Sequence, residues 1–160
     1  MERTTGKKLV LTTDLPEKEA SETQIQSASG GEGKTSLQDL PLLLYVEDEE
    51  ISQRVVGRSL KGICKLEFAK TGQEALELAN KTLYEGFLMD INLLRGMDGE
   101  QVTKELRKLP QYAATPIIAV TAFAMKGDKE EFIEAGCTDY ISKPFTKEEL
   151  VTLIKKYFKK

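Results

Sequence analysis

The sequence contains no histidine and no tryptophan, and only two of its 160 residues are cysteines. Without histidine, the chain has no imidazole for acid–base catalysis or metal binding, and it cannot itself carry a phosphohistidine. Cys64 and Cys137 lie far apart and form no CxxC pair. This usage argues against a zinc site or a disulfide framework and favours a reducing compartment, the cytoplasm.

Long apolar runs and a strong charge are also missing. No stretch is apolar for long enough to span a bilayer, and the first 20 residues lack the apolar core of a secretory signal. The net charge of -3 gives no reason to expect nucleic acid or a membrane surface as a partner. An apolar content of 40% is sufficient for the core of one domain.

The first 40 residues differ in composition from the rest of the chain. Ser, Thr, Gly, Glu and Gln dominate residues 14–40, which cannot bury enough apolar surface to offset the entropy of ordering. We therefore predict a flexible linker over residues 1–40, with one short strand at 7–13, and a folded domain over residues 41–160. The stretch "ASGGEGKTS" (28–36) is similar to a phosphate-binding loop but has alanine at the first glycine position.

From residue 41 onward, strand and helix patterns alternate five times. Such alternation is typical of a parallel sheet covered by helices on both faces, that is, a doubly wound α/β fold. We expect the two less apolar strands, 65–69 and 139–143, to lie at the edges of the sheet. The predicted strands are 42–46, 65–69, 86–90, 116–122 and 139–143, and the predicted helices are 49–62, 72–81, 99–109, 126–136 and 146–160.

Polar side chains follow four of the predicted strands. Glu47 and Asp48 come after the first strand, Asp90 ends the third, Thr121 is near the end of the fourth, and Lys143 ends the fifth. Because ligands of such sheets bind at the carboxyl ends of the strands, we expect these groups to converge there. Three close carboxylates need a cation, and Mg²⁺ is the usual divalent ion for oxygen ligands. Taken singly, each residue could instead belong to a helix start, a strand or a turn.

Four motifs carry a resemblance to a known family. They are "LLLYVEDEE", "FLMDINLLRGMDG", "IIAVTAFAMKGD" and "AGCTDYISKPF", in this order along the chain. The region from about residue 41 to 160 resembles the receiver domain of two-component response regulators. The resemblance implies a flavodoxin-like fold with five parallel strands in the order 2-1-3-4-5. It also implies a signalling domain that catalyses only its own phosphorylation and dephosphorylation.

The resemblance implies a role for each acid at the predicted site. Asp90 matches the phosphoacceptor, which takes a phosphoryl group from a phosphohistidine in a Mg²⁺-dependent reaction. Glu47 and Asp48 match the acidic pair that holds Mg²⁺, and Asn92 matches the residue whose main-chain carbonyl also binds the metal. The implied partner is a histidine kinase or a histidine phosphotransfer domain, and a homodimer is compatible with the family.

Four further residues match positions that respond to phosphorylation in the family. Lys143 matches the lysine that pairs with the phosphoryl group, and Pro144 matches a proline that typically follows a cis peptide bond. Thr121 matches the switch hydroxyl and Tyr140 the aromatic switch. By this resemblance, phosphorylation of Asp90 reshapes the face around residues 123–146.

The motifs look more like receivers of hybrid sensor kinases than like those of transcription factors. On that reading, residues 7–13 are similar to the last strand of a kinase ATP-binding domain. One departure concerns the loop after Asp90, where Leu94 replaces the usual proline and Gly99 follows one residue later than usual. We expect this loop, residues 93–97, to be longer and more mobile than in most receivers.

Three other functions fit the sequence less well. A haloacid-type phosphatase needs a second acid at position 92, which is asparagine, and a dinucleotide site needs a glycine-rich turn where "VEDEE" stands. The stronger alternative is a pseudo-receiver, the same fold acting as a docking module independent of phosphorylation. Only the altered loop favours it, because every position that the family chemistry needs is filled.

Overall fold

The computed structural model describes residues 36–122 and 125–159. Residues 7–13, the predicted strand, lie outside the described residues, and so does nearly all of the predicted linker. The loop at 28–36 lies outside them except for its last residue. The domain boundary at residue 40 therefore stays a prediction. In chain order the elements are β1 (Leu42–Val46), α1 (Glu50–Ser59), β2 (Lys65–Ala69), α2 (Gly72–Lys81), β3 (Gly86–Asp90), α3 (Gly99–Lys108), a 3-10 helix (Pro110–Tyr112), β4 (Ile117–Thr121), α4 (Asp128–Ala135), β5 (Asp139–Ser142) and α5 (Lys147–Tyr157).

The five strands form one parallel sheet in the order β2-β1-β3-β4-β5. This order confirms the predicted fold class and places the two less apolar strands, β2 and β5, at the edges. Asp90 at the end of β3 pairs with Val120 on β4, and Thr121 pairs with Ser142 on β5. The carboxyl ends of β1, β3, β4 and β5 therefore meet at one edge of the sheet.

Helices cover both faces of the sheet. Because successive side chains of a strand point to opposite faces, each central strand contributes to two separate cores. One core packs the sheet against α1 and α5, through residues such as Val56 and Leu150. The other packs it against α2, α3 and α4, through residues such as Ala75, Val102 and Phe132. This doubly wound arrangement leaves the two ends of the strands free of helices.

Capping residues account for several helix ends. The side chain of Thr146 accepts a hydrogen bond from the amide of Glu149 at 3.2 Å, in the capping box that the sequence predicts for α5. Asp98 caps α3 in the same way. Gly136 ends α4 with φ of 108°, a left-handed conformation that favours glycine. Within residues 36–122 and 125–159, each helix is too short or too polar to cross a membrane.

Two expectations differ from the structure. The spacing in α1 predicts an apolar face through Ile51, Val55 and Leu60. Leu60 is buried as predicted, but Ile51 and Val55 are 69% and 53% exposed, and Val56 packs against the sheet instead. Two adjacent apolar stripes lie on this helix, and periodicity alone does not decide which one faces the core. The 3-10 helix after α3 is also unpredicted; it starts at Pro110, a residue suited to the first turn of a helix.

Candidate functional site

A cavity of about 420 Å³ opens at the carboxyl edge of the sheet. It lies where β1 and β3 end, next to the β5–α5 connection. Every residue predicted to hold a metal contributes to its wall, together with the predicted lysine. The lining residues are Glu47, Asp48, Glu49, Asp90, Asn92, Leu94 and Lys143.

The carboxylate of Glu47 is buried and held by three donors. The Tyr45 hydroxyl donates to Oε2 at 2.8 Å, Lys143 Nζ donates to the same oxygen at 2.7 Å, and the Glu49 amide donates to Oε1 at 3.0 Å. Burial disfavours the charged form of Glu47. The hydrogen bonds from Lys143, the Glu49 amide and Tyr45 outweigh this effect and lower the pKa of Glu47 below its usual 4.5.

The carboxylate of Asp90 is also buried, but fewer hydrogen-bond donors stabilise its charged form than that of Glu47. Its side chain accepts a hydrogen bond from the Asn92 amide at 2.9 Å, and Lys143 Nζ is 3.5 Å from Oδ2. Burial raises the pKa of Asp90, and the negative charge of Glu47 adds to the rise. The Asn92 amide and Lys143 oppose it only in part. An added positive charge in the cavity would therefore favour ionised Asp90.

Lys143 bridges the two buried acids. Burial alone would lower the pKa of Lys143, but Glu47 and Asp90 outweigh this effect and raise the pKa above its usual 10.5. The ammonium group lies closer to Glu47, at 2.7 Å, than to Asp90, at 3.5 Å. Lys143 is therefore charged, and its ammonium group interacts more closely with Glu47 than with Asp90.

The acids are arranged so that a divalent cation fits between them. Glu47, Asp48 and Asp90 each offer a carboxylate oxygen, and these atoms all lie within 4.8 Å of one another. Asp48 is half-buried, and one of its oxygens accepts the Leu94 amide at 3.3 Å. Carboxylate and carbonyl oxygens are the ligands that Mg²⁺ prefers, so the donor set matches such an ion.

The other predicted site residues, Thr121, Tyr140 and Pro144, do not line this cavity. Thr121 is buried at the end of β4, and its carbonyl accepts the Lys143 amide at 2.7 Å. The Lys143–Pro144 peptide bond is cis. Tyr140 lies near the start of β5, half-buried, with its ring centroid 6.2 Å from that of Phe132 on α4. Tyr140 lines a different groove, formed with Pro144 and one side of α5.

The loop after Asp90 is closed by a main-chain hydrogen bond at its base. The Gly99 amide donates to the Ile91 carbonyl at 3.1 Å. Leu93 is buried in the core, whereas Leu94 is 86% exposed beside the cavity. Gly96 has φ of 74°. The hydrogen bond at the base links the start of α3 to the end of β3, and Leu94 and Gly96 lie in the loop between them.

Tyr45 is a site residue that the sequence analysis did not identify. It was included in an apolar strand, yet its hydroxyl contacts Glu47. A signal was present: Tyr45 is two residues before Glu47, so both point to the same face of β1. It is also the single side chain of "LLLYV" with a polar atom.

Comparisons with known proteins agree with this geometry. Residues 43–155 match the family described as response regulator receiver domain. The response regulator DivK of Brucella anthropi is 40% identical over 117 residues, which cover 72% of this chain and 94% of DivK. The histidine-protein kinase BarA of Escherichia coli (strain K12) is 34% identical over 116 residues, which cover 72% of this chain but only 12% of BarA.

A solved structure shares both fold and sequence features with the chain. It is the receiver domain of the sensor histidine kinase PA1611 from Pseudomonas aeruginosa PAO1, described with a magnesium ion coordinated in the active site cleft. Its TM-score is 0.67 at 33% identity, with 73% of this chain and 96% of that one covered. The family match includes the whole carboxylate cavity and most of the chain, and the chain therefore belongs to the response regulator receiver domain family of two-component signalling.

Proposed function

We propose that Asp90 accepts a phosphoryl group from a phosphohistidine on a histidine kinase or a histidine phosphotransfer domain. One observation carries the proposal: Asp90 is 5% exposed in a cavity lined also by Lys143, and its carboxylate lies close to those of Glu47 and Asp48. In the transfer, an Asp90 oxygen bonds to phosphorus while the phosphorus–nitrogen bond breaks. The imidazole nitrogen of the donor keeps the bonding electrons.

Mg²⁺ is the ion that the donor set supports best. Asp48 and Asp90, with Glu47 and the main-chain carbonyl of Asn92, would hold it. When bound, it neutralises negative charge on the transferring phosphoryl oxygens. Lys143, already charged and within 3.5 Å of Asp90, adds a second positive charge on the side of the accepting carboxylate.

The same proposal includes a conformational change on phosphorylation of Asp90 and its reversal on dephosphorylation. The Thr121 hydroxyl would bond a phosphoryl oxygen, and Tyr140 would turn inward, which changes the exposed face between β4 and α5. Tyr140 supports this role because its ring is half-buried and adjoins Phe132 of α4. Hydrolysis of the phosphorylated carboxylate by water, catalysed by the chain itself, would restore the starting state.

Exposed apolar side chains on α1 and in the loop after Asp90 support docking of a protein donor. Leu94 lines the cavity and is 86% exposed, and Ile51 and Val55 are exposed on α1. Helix α1 begins directly after Glu49, another lining residue, so its first turn adjoins the opening. Exposed clusters of large apolar side chains commonly mark interaction sites. We assign this apolar rim of Ile51, Val55 and Leu94 to the phosphohistidine-bearing domain.

A cytoplasmic location belongs to the proposal as well. Cys64 and Cys137 are both free and buried, and burial raises the pKa of each thiol to about 11. Unpaired structural thiols are typical of a reducing compartment, where histidine kinases present their phosphoryl groups.

The test is the intact mass of the chain after incubation with acetyl phosphate and Mg²⁺. The wild type is expected to gain one phosphoryl group, and Asp90→Asn none. Asp39→Asn is the matched control, because Asp39 is exposed and precedes β1, at the opposite end of the strand from the cavity, and its loss should leave labelling unchanged. No adduct on the wild type, under conditions that label another receiver domain, would contradict the proposal and favour a docking module independent of phosphorylation.

A further inference from the structure

The hydroxyl of Tyr45 extends from the interior of the sheet into the carboxylate site. Tyr45 lies in the central strand β1, is fully buried, and has Phe68 of β2 and Leu88 of β3 as its register partners. Its hydroxyl donates to Glu47 Oε2 at 2.8 Å. A buried hydroxyl needs a hydrogen-bond partner, and here that partner is one of the acids of the cavity.

The oxygen that Tyr45 contacts is also the one that binds Lys143. Lys143 Nζ lies 2.7 Å from the same Oε2. The second oxygen of Glu47 accepts the Glu49 amide. With donors on both oxygens, the carboxylate cannot rotate without breaking a bond to a buried group. Among these donors, the Tyr45 hydroxyl belongs to a fully buried side chain of the central strand β1.

This sharing affects how Glu47 and Asp90 compete for Lys143. The ammonium group is 2.7 Å from Glu47 and 3.5 Å from Asp90. An oxygen that already accepts a hydrogen bond from Tyr45 has less negative charge available for a second donor. The Tyr45 hydroxyl therefore limits the hold of Glu47 on Lys143, and it also fixes where the Glu47 carboxylate lies relative to Asp48 and Asp90.

We propose that Tyr45 is a positioning residue of the phosphoacceptor site, whose hydroxyl orients Glu47 and thereby sets the affinity of the acid cluster for Mg²⁺ and the rate at which Asp90 is phosphorylated. The inference rests on the proposed function. It predicts that removal of the buried Tyr45 hydroxyl oxygen changes Mg²⁺ affinity and the phosphorylation rate, although this atom contacts neither the phosphoryl donor nor the cation.

A second buried tyrosine provides the matched control. Tyr112 is fully buried, and its hydroxyl donates to the carbonyls of Ala79 and Thr82 at 2.9 and 2.8 Å. Tyr112→Phe removes a buried hydroxyl, as Tyr45→Phe does, but at a distance from the cavity. Both changes are expected to lower the stability of the fold, and only Tyr45→Phe is expected to alter the site.

The experiment measures the Mg²⁺ dissociation constant of the full chain by titration calorimetry, and the rate of Asp90 labelling by acetyl phosphate. Tyr45→Phe is expected to weaken Mg²⁺ binding about ten-fold, the factor for one hydrogen bond to a charged group, and to slow labelling. Tyr112→Phe is expected to match the wild type in both. An unchanged or tighter Mg²⁺ dissociation constant in Tyr45→Phe would overturn the inference.

A double-mutant cycle separates positioning from stability. Glu47→Asp shortens the side chain by one carbon, so the carboxylate cannot keep its contact with Tyr45 and its other two donors at once. In the Glu47→Asp background, Tyr45→Phe is then expected to change the dissociation constant by less than about two-fold. An equal loss in both backgrounds would assign Tyr45 a structural role only and overturn the inference.

A measurement on the wild type avoids any dependence on how the variants fold. The ring resonances of Tyr45 in tyrosine-labelled chain are expected to shift on addition of Mg²⁺, while those of Tyr112 stay in place. If the wild type binds Mg²⁺ and is labelled but Tyr45 does not respond, the positioning role is wrong and the proposed function stands. If the wild type neither binds nor is labelled, both are wrong.

Discussion

Gly99 lies directly against the main-chain carbonyl of Asp90, so closely that a Cβ atom at position 99 would overlap this oxygen. The contact joins the first residue of α3 to the last residue of β3, and the Gly99–Ile91 hydrogen bond closes the loop between them. Position 99 requires glycine for steric reasons, because any Cβ atom there would overlap the main chain at the end of β3.

Gly99→Ala is expected to lower the free energy of unfolding by about 1–3 kcal/mol, because the main chain at Asp90 has to move to make room. Urea unfolding measures the change. Gly57→Ala in α1 is the control: its Cβ would meet only the end of the Phe68 ring at 3.3 Å, and alanine favours the helix. A smaller loss for Gly99→Ala than for Gly57→Ala would contradict the packing argument.

Lys143→Met is expected to destabilise the chain in the absence of divalent cations by about 2 kcal/mol, since Glu47 and Asp90 then lack their shared positive charge. The loss is smaller than for a fully buried pair because the Lys143 side chain is 25% exposed. Added Mg²⁺ should stabilise this variant more than the wild type, because the cation supplies the missing charge. Thermal unfolding in the presence of EDTA and in the presence of Mg²⁺ tests both statements. Lys147→Met is the control, because Lys147 is exposed and its loss should leave both melting temperatures as in the wild type.

Asp139 is expected to make stability depend on acidic pH. Burial raises its pKa, but hydrogen bonds from Lys156, the Tyr157 hydroxyl and the Tyr140 amide outweigh this effect and lower the pKa below its usual 3.8. A lowered pKa stabilises the folded state above the usual value, and this contribution is lost as the pH falls through the folded value.

Asp139→Asn should therefore be less stable than the wild type near neutral pH, with a difference that shrinks as the pH falls below 3.8. Urea unfolding over a pH series from about 7 to about 2 measures the difference. Asp39→Asn, at an exposed position, is the control. A difference that stays constant over the whole series would show that the Asp139 charge does not stabilise the fold.

The apolar rim is expected to matter for a protein donor and not for a small one. The double variant Ile51→Ser, Val55→Ser should slow transfer from a phosphorylated histidine kinase about ten-fold, while phosphoramidate labels it at the wild-type rate. Stability should stay within about 0.5 kcal/mol, as usual for exposed side chains. Leu83→Ser is the matched control, because Leu83 is as exposed as Ile51, 69% in each case, and follows α2. Equal effects of the two variants on kinase transfer would contradict the assignment of the rim.

The sequence pattern alone predicted a doubly wound parallel sheet and the acids at its edge, whereas the strand order 2-1-3-4-5 was predicted from the family resemblance. Five apolar or half-apolar strands alternating with helices predict a parallel doubly wound sheet, and parallel strands end at a common edge. A residue that directly follows such a strand is therefore located without knowledge of any side-chain contact. Glu47 and Asp48 directly follow a predicted strand, Asp90 and Lys143 are the last residues of two others, and all four line the cavity.

Contacts between distant segments were decided by the tertiary structure. Arg107 of α3 donates to the carbonyls of Gly136, Tyr112 and Thr115 at 2.6–2.8 Å, which ties the α3–β4 connection to the α4–β5 connection. No local pattern marks this role. The exposure of Ile51 and Val55 was likewise decided only by the tertiary structure. Two apolar stripes on one helix satisfy the same periodicity, and only packing against the sheet selects one of them.

The chemistry of the site divides in the same way. Strand periodicity puts Tyr45 and Glu47 on one face, but the hydrogen bond between them depends on the course of the main chain after β1 ends at Val46. The unequal sharing of Lys143, 2.7 Å from Glu47 and 3.5 Å from Asp90, depends on residues separated by up to 96 positions in the chain. Composition and spacing determine which groups meet at the sheet edge, whereas distances of a few tenths of an ångström, on which charge and hydrogen bonding depend, arise only when all the packed elements are in place.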